Sequence, residues 1–253
     1  MSLQSKINWV LTGALLKGLR GSLKKRVEGD ALPFLQYPPV KNTSIFNRID
    51  FIIAACAGKK VLHAGFTDYP FTRDRIADGT LLHLQLKKNA LAVLGIDNDE
   101  ASIAEYKLLT GEEDCVKVDI TAAYPETVLE FKPDIILLGE ILEHLQNPYR
   151  ATELLYTSFD AGTKILVTVP NYQALDNISA ALHRAESIHP HHYWHFSPYT
   201  LLRLFPSEKF TLEELHFGMY YQHGKKINSV LKKNPFCGDC IIAVFSINKI
   251  QKR

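Results

Sequence analysis

Short apolar runs alternate with segments of helical periodicity between about residues 46 and 170 of the chain. The apolar runs at 61–65, 91–96, 115–120, 134–140 and 164–170 predict buried strands. The segments between them, at 81–88, 102–109, 123–130 and 149–159, have helical character. Wholly apolar strands that alternate with helices are typical of a parallel sheet with both faces covered. The pattern therefore predicts a doubly wound α/β fold.

The last part of the chain has a different pattern. Pro170 is followed by a histidine-rich segment and then by two strand-like stretches, 212–221 and 240–248. The connection between these stretches contains Gly224 and Pro235, which suits an antiparallel pair. We therefore expect the pair at one end of the sheet.

Residues 1–45 predict a helical arm and a linker that precede a domain of residues 46–253. The arm spaces apolar residues at near-helical intervals among basic ones, and Pro33, Pro38 and Pro39 mark the linker. Three glycines within the arm weaken a helix, which favours a helix packed on the domain. The alternative is an interfacial helix that touches an anionic membrane or a partner.

The composition is that of an ordinary globular protein. The chain has 253 residues, of which 46% are hydrophobic and 22% charged, and its net charge of +2 gives no argument for nucleic acid. No apolar run has the roughly 18–20 residues of a membrane span, and no secretory signal pattern is present. Cys237 and Cys240 form a CxxC without further zinc ligands nearby. We expect reduced cysteines and a cytoplasmic location.

Candidate binding residues follow the first two predicted strands, because ligands of an open α/β sheet bind beyond the carboxyl ends of its strands. The first strand ends in His63-Ala64-Gly65-Phe66, where a single glycine lets the backbone pass close to a ligand. The second ends in GIDNDE, so that Asp97 can accept hydrogen bonds from both hydroxyls of a ribose.

The third strand ends in VDI. This sequence brings Asp119 and Ile120 to where an adenine amino group and ring face could meet them. Neither GxGxxG nor GxxxxGK[ST] occurs in the chain. A nucleoside without a pyrophosphate therefore fits the pattern better than NAD or ATP.

These motifs resemble those of class I S-adenosylmethionine-dependent methyltransferases over about residues 46–205. The matching segments are VLHAGF, GIDNDE, VDI, PDIILLGEILEHLQNP, KILVTVPN and HPHHYWHFSPYTLLRLF. The resemblance implies a Rossmann-like sheet of seven strands, mostly parallel with an antiparallel last strand, and S-adenosylmethionine as cofactor. The cofactor-binding residues it implies are His63, Ala64, Gly65, Phe66, Asp97, Asn98, Asp119, Ile120, Gly139 and Glu140.

The first motif departs from the family pattern. His63 replaces the acid that helps to hold the methionine end of the cofactor, and Phe66, Thr67 and Asp68 replace small residues. Asp68 is a candidate to supply the missing negative charge.

Glu140, Glu143 and His144 form an E-x-x-E-H motif after the fourth strand, and their spacing predicts one shared face of a helical turn. Two carboxylates and an imidazole can hold a divalent cation. The motif resembles the metal-binding motif of the ubiquinone-pathway O-methyltransferases and the small-RNA 3′-terminal 2′-O-methyltransferases. The pattern of the RNA group indicates His192 as the fourth ligand. In the metal-free alternative, Glu140 binds cofactor or substrate and the histidines pack locally.

Methyl transfer to a hydroxyl group of a small molecule or glycan is the first functional hypothesis. His192 and then His144 are the candidate bases, with Glu140 as an orienting group, and His192 cannot be base and metal ligand at once. The second hypothesis is an RNA 2′-hydroxyl acceptor, with phosphates bound by Lys225, Lys226, Lys232 and Lys233. The third is a non-catalytic binding module on the same fold.

Overall fold

A computed structural model describes residues 42–222 and 224–249 of the protein. Residues 1–41, which hold most of the predicted helical arm with its membrane or partner contact, lie outside the described residues. Within the described ranges, no helix has both the length and the hydropathy needed to cross a bilayer. All four cysteines are free thiols.

The described residues form a single mixed sheet with helices in its connections. The strands are β1 (Ile45–Asn47), β2 (Lys60–Ala64), β3 (Ala92–Asp97), β4 (Cys115–Lys117), β5 (Ile135–Gly139), β6 (Lys164–Pro170), β7 (Phe210–Met219) and β8 (Cys240–Ile247). The helices are α1 (Arg48–Cys56), α2 (Thr72–Ala77), α3 (Leu82–Lys87), α4 (Glu100–Thr110), α5 (Glu126–Leu129), α6 (Pro148–Ser158), α7 (Leu175–Leu182), α8 (Pro198–Arg203) and α9 (Lys225–Lys233). Short 3-10 turns cover Leu142–His144 and Pro235–Cys237.

The strand order is β1-β7-β8-β6-β5-β2-β3-β4. β8 runs antiparallel to both of its neighbours, β6 and β7, and all other neighbouring strands are parallel. The predicted α/β fold, with a mostly parallel sheet and an antiparallel last strand, is confirmed. The sheet has eight strands rather than the predicted seven, because the three-residue strand β1 pairs with the outer edge of β7.

Both faces of the sheet are covered, as the apolar strands predict. Successive residues of β2 point to opposite faces: Leu62 joins the core that includes Leu155 of α6, and Val61 joins the core that includes Ile52 of α1. Leu62, Val61 and Ile52 are fully buried. The alternation explains why the central strands have no polar face in the sequence.

Local sequence signals determine where several helices begin and end. The side chain of Asp99 accepts a hydrogen bond from the backbone N of Ser102 at the start of α4, and Gly111 ends that helix with φ 72°. Ser197 and Thr200 form a capping box at the start of α8. The histidine-rich segment therefore stops at a defined helix start.

A close contact between Gly95 of β3 and Phe66, in the turn after β2, fixes the position of that turn. A Cβ atom added to Gly95 would lie 2.7 Å from two ring atoms of Phe66. Phe66 is 1% exposed, and its ring packs edge-on against Tyr106 with centroids 5.0 Å apart. Phe66 thus occupies space that only a glycine in β3 leaves open, which is a packing role.

We predict that Gly95→Ala destabilises the protein by about 1–3 kcal/mol, the usual cost of overpacking a well-filled core. The measurement is the free energy of unfolding in urea. The same substitution in a Phe66→Leu background should cost clearly less, because the smaller side chain leaves room for the new methyl group. Equal costs in the two backgrounds would contradict the packing role of Phe66.

Candidate functional site

A cavity of about 1100 Å³ lies at one edge of the sheet. Its walls come from residues that directly follow the carboxyl ends of parallel strands: Arg48 after β1, Gly65 after β2, Asn171 after β6 and Tyr220 after β7. Asp239 joins them because it precedes β8, which runs antiparallel and so begins at this edge. The cavity is large enough for a nucleoside cofactor and a second small molecule.

Most of the predicted site residues line this cavity. Of the predicted cofactor-binding residues, those that line it are His63, Gly65, Phe66, Asp97, Gly139 and Glu140, and those that do not are Ala64, Asn98, Asp119 and Ile120. Of the predicted catalytic and metal-binding residues, Glu140, His144 and His192 line it and Glu143 does not.

Asp97 ends β3 with its carboxylate held in a defined orientation. Its Oδ2 accepts hydrogen bonds from the hydroxyl of Thr67 at 2.7 Å and from the backbone N of Thr67 at 3.3 Å, and its Oδ1 accepts from the backbone N of Asp99 at 3.1 Å. A carboxylate offers about four acceptor positions, so Oδ1 keeps one for a ligand. Thr67 therefore positions the carboxylate and also competes for one of its oxygens.

Asp119 and Ile120 have local structural partners. Oδ1 of Asp119 accepts hydrogen bonds from the backbone N of Thr121 at 2.8 Å and from its hydroxyl at 2.7 Å, while Ile120 packs in the main core. β4 ends at Lys117, two residues before Asp119, which explains why the strand-end argument does not bring this pair to the cavity.

Gly65 directly follows β2 and has φ 67°, a conformation that strains any residue with a Cβ. A Cβ there would lie 2.0 Å from Cδ1 of Ile141. The side chain that approaches this backbone thus belongs to the turn after β5. This contact lies where the neighbouring strands β2 and β5 end, and both Gly65 and Ile141 line the cavity.

The first motif does not supply a free negative charge. His63 is buried, its Nδ1 lies 3.4 Å from Nδ1 of His83, and burial together with His83 lowers the pKa of His63 well below its usual value. The imidazole is therefore neutral at pH 7. Asp68 is bound to Arg75, with an Nε–Oδ2 distance of 3.1 Å. Glu140, which directly follows the neighbouring strand β5, is a candidate to replace the missing acid.

Glu140 is the centre of a polar network at the cavity wall. Its Oε2 accepts a hydrogen bond of 2.5 Å from the hydroxyl of Tyr220, and its Oε1 lies 3.4 Å from Nε of Arg48. Nε of Arg48 also donates to the hydroxyl of Thr168 at 3.1 Å. Burial and the Glu140 carboxylate raise the pKa of Tyr220 well above its usual value, so the phenol remains a donor. Glu140 therefore carries the negative charge at this end of the cavity.

The E-x-x-E-H residues do not share one face of a helical turn, contrary to the prediction from their spacing. Glu140 has φ 59° and lies outside the 3-10 turn, which begins only at Leu142. Glu143 is fully buried, and neither of its carboxyl oxygens has a hydrogen-bond partner among the described residues. Burial, and then the charge of Glu140, raise the pKa of Glu143 well above its usual value.

His144 and His192 are brought together, and His189 joins them. The ring centroids of His144 and His192 are 4.5 Å apart, and those of His189 and His192 are 5.2 Å apart. Burial and then the neighbouring imidazoles lower the pKa of His192 to about 4 and lower that of His144 as well. These three imidazoles form one cluster on the cavity wall.

A second, smaller cavity of about 520 Å³ adjoins the first and shares Asn177, Ser187 and His195 with it. Most of its other wall residues are apolar or aromatic: Tyr172, Ile178, Ala181, Ala185, Phe236 and Cys237. At the boundary, Nε2 of His195 lies 3.0 Å from Oε1 of Glu186, an orientation in which the ring nitrogen donates to the carboxylate.

Four residues of the cavity wall are not among the site residues predicted from the sequence: Arg48, Asn171, Tyr220 and Asp239. Arg48 and Tyr220 follow carboxyl ends of parallel strands, so the rule that identified Asp97 applies to them. β1 has only three residues, Ile45–Asn47, which is too short for an apolar pattern to predict a strand before Arg48. Tyr220 was assigned to the interior of the predicted strand 212–221, although β7 ends at Met219.

No model of a known protein family matches the sequence, and no curated protein matches it. Solved structures do match the fold. An S-adenosylmethionine-dependent methyltransferase from Archaeoglobus fulgidus is 17% identical with a TM-score of 0.50, over 79% of this chain and 91% of that chain. One from Mesorhizobium loti is 12% identical with a TM-score of 0.50, over 77% and 95%.

The small RNA methyltransferase HEN1 is 13% identical with a TM-score of 0.54, over 85% of this chain and 27% of that chain. At these identities the likeness establishes the fold. The protein therefore has the Rossmann-like fold of S-adenosylmethionine-dependent methyltransferases, with one further strand, β1, at the edge of the sheet.

Proposed function

We propose that the protein transfers a methyl group from S-adenosylmethionine to a hydroxyl group of a small molecule or glycan. The observation that carries the proposal is the convergence of Gly65, Asp97 and Glu140 on one cavity at the carboxyl edge of a methyltransferase fold. The size of that cavity leaves space for an acceptor beside a nucleoside.

The residues present fit the cofactor at both of its ends. Asp97 has an acceptor position left on Oδ1 for a ribose hydroxyl. Glu140 and Arg48, which pair with each other, together present a carboxylate and a guanidinium to the ammonium and carboxylate of the cofactor's amino acid end. When bound, S-adenosylmethionine supplies an electrophilic methyl group on a sulfonium that is a good leaving group. The protein then has to align the acceptor and remove its hydroxyl proton.

The charge of the cavity wall favours a neutral acceptor. Five carboxylate side chains line the cavity: Asp68, Asp97, Glu140, Asp176 and Asp239. The two arginines of the wall are both paired, Arg48 with Glu140 and Arg75 with Asp68. Such a wall repels phosphates but can accept hydrogen bonds from sugar hydroxyls.

Exposed aromatic rings at the cavity suit the faces of a sugar. Tyr69, Phe71 and Tyr221 line the cavity and are each more than half exposed to solvent. An aromatic face carries partial negative charge and attracts the weakly positive C–H groups of a pyranose. The adjoining apolar cavity offers room for an apolar substituent of the acceptor.

His195 fits the role of base better than His192 or His144. A general base works best with a pKa near the working pH, and the pKa of His192 is lowered to about 4. In His195, donation from Nε2 to Glu186 leaves the lone pair on Nδ1, which has no hydrogen-bond partner among the described residues. We infer that Nδ1 of His195 takes the acceptor proton, and Glu186 stabilises the resulting imidazolium.

RNA remains the second candidate acceptor. Its support is the row of exposed lysines on α9: Lys225, Lys226, Lys232 and Lys233. None of these lysines lines the cavity, and the wall itself is acidic. The proposal therefore gives RNA second place.

We predict that Asp97→Ala weakens binding of S-adenosylhomocysteine by about 1.5–3 kcal/mol, because a charged acceptor of the ribose hydroxyl is lost. Isothermal titration calorimetry measures the change. Asp99→Ala is the matched control, since its carboxylate lies outside the cavity and accepts from the backbone N of Ser102 at the start of α4. Equal losses in the two variants would contradict the assignment, and a wild type that binds no adenosyl ligand would favour the non-catalytic module.

We predict that S-adenosylhomocysteine forms with neutral methyl glycosides as acceptors, and that short RNA oligomers bind only weakly. Contacts to several phosphates release counterions, so RNA bound in the site would dissociate steeply between low and moderate salt. The measurements are product formation by mass spectrometry and RNA binding by fluorescence anisotropy. Methylated RNA together with a steep salt dependence would replace the glycan proposal.

We predict that His195→Gln lowers kcat by about 10²- to 10⁴-fold, the usual contribution of a general base. The reaction is methyl transfer to whichever methyl glycoside proves active, and affinity for S-adenosylhomocysteine should stay within about twofold of wild type because His195 does not hold the nucleoside. His191→Gln is the control, since this imidazole also lines the cavity but forms no ion pair with a carboxylate of the described residues. A kcat that is unchanged in His195→Gln would exclude this residue as the base.

A further inference from the structure

Three imidazoles converge on one point of the cavity wall. His144 ends the 3-10 turn that follows β5, and His189 and His192 lie in the segment before α8. One ring nitrogen from each lies within 4.8 Å of the others. Two nitrogens bound to one tetrahedral zinc ion at about 2.0–2.1 Å lie about 3.4 Å apart, so rotation of the side chains has to bring the three rings closer together.

Backbone contacts hold the segment that carries two of these histidines. The backbone N of Tyr193 donates to the carbonyl of Glu143 at 2.8 Å, and Nε1 of Trp194 donates to the carbonyl of Leu145 at 2.8 Å. These bonds lie on both sides of His144 in the turn and directly after His192 in the segment. The cluster is therefore built before any ligand binds, which lowers the entropy cost of binding.

The three rings are also in the chemical form of a ligand. Within residues 42–222 and 224–249, no carboxylate lies within ion-pair distance of any of them, in contrast to His195. The backbone N of His191 donates to Nδ1 of His189 at 3.3 Å, a long hydrogen bond that a metal ion bound at Nδ1 would replace. A metal binds the unprotonated lone pair of an imidazole, and three protonated rings at these distances would repel each other.

We propose that His144, His189 and His192 form a binding site for a divalent transition metal of the zinc type. Imidazole nitrogens suit zinc, cobalt and nickel, whereas magnesium prefers oxygen ligands. Three protein ligands leave a coordination position open, as in catalytic zinc sites, and these residues line the cavity. The open position takes an oxygen of water or of a hydroxyl compound.

This ligand set differs from the one that the E-x-x-E-H motif implies. Glu140 is engaged by Tyr220 and Arg48, and Glu143 is buried and does not line the cavity. His189 takes their place. The metal site does not depend on methyl transfer, and it leaves His195 free to act as the base.

The test is titration of the untagged, chelator-treated full chain with Co²⁺, followed by the visible d–d absorption that intensifies in tetrahedral coordination. We expect about one ion per chain, and displacement of Co²⁺ by Zn²⁺. His189→Gln should weaken Co²⁺ binding by at least about 10- to 100-fold, the loss seen when even an outer-shell partner of a ligand is removed. This histidine is exposed, so its replacement leaves the fold intact.

His191→Gln is the matched control, because it changes an equally exposed neighbour outside the cluster. Affinity that stays within about twofold of wild type in this variant, together with the loss in His189→Gln, supports the site. Equal losses in both variants would mean only general adsorption to a histidine-rich segment and would overturn the proposal. An absence of tetrahedral Co²⁺ absorption in the wild type would also overturn it, whatever the outcome of the methyl-transfer assays.

Discussion

The carboxylate of Glu140 connects residues that follow three strands of the sheet, and it lines the cavity. Glu140 follows β5, its partner Arg48 follows β1, and its partner Tyr220 follows β7. This ion pair explains why the additional strand β1 matters for the site, since the strand delivers the arginine. Burial, and then the charge of Glu140, also raise the pKa of the neighbouring Glu143.

The backbone at Glu140 indicates that the position is constrained by its surroundings. A left-handed conformation costs a residue with a side chain about 1–2 kcal/mol, and here it is held by a hydrogen bond from the backbone N of Glu140 to the carbonyl of Thr168. Strain of this kind concentrates at functional sites. The conformation also separates Glu140 from the following turn, so that the carboxylate and the imidazole of His144 act in different parts of the cavity.

The strands and the location of the site could be predicted from the sequence because both follow from short-range rules. Apolar runs gave β2, β3, β5 and β6 nearly residue by residue, and the rule that ligands bind at carboxyl strand ends led directly to Gly65 and Asp97. Asp119 does not line the cavity, and β4 ends at Lys117, earlier than its apolar pattern predicts.

The details of the histidine cluster could not be predicted. Which imidazoles meet depends on how the segment before α8 folds against the turn after β5, through contacts such as that of Trp194 with Leu145. Helical spacing predicted that Glu140 and Glu143 would join His144, and a single left-handed residue removed that possibility. The pairing of His195 with Glu186 likewise joins residues of an irregular segment, for which no periodic pattern exists.

The central claim is that the cavity at the carboxyl edge binds an adenosyl cofactor. A crystal structure of the protein with S-adenosylhomocysteine tests it most directly. The account predicts that the ribose lies against Oδ1 of Asp97 and that the amino acid end lies near Glu140 and Arg48, with the histidine cluster beside the sulfur. A structure with the ligand bound elsewhere, or with Thr67 and Ile141 filling the nucleoside position at saturating ligand, would contradict it.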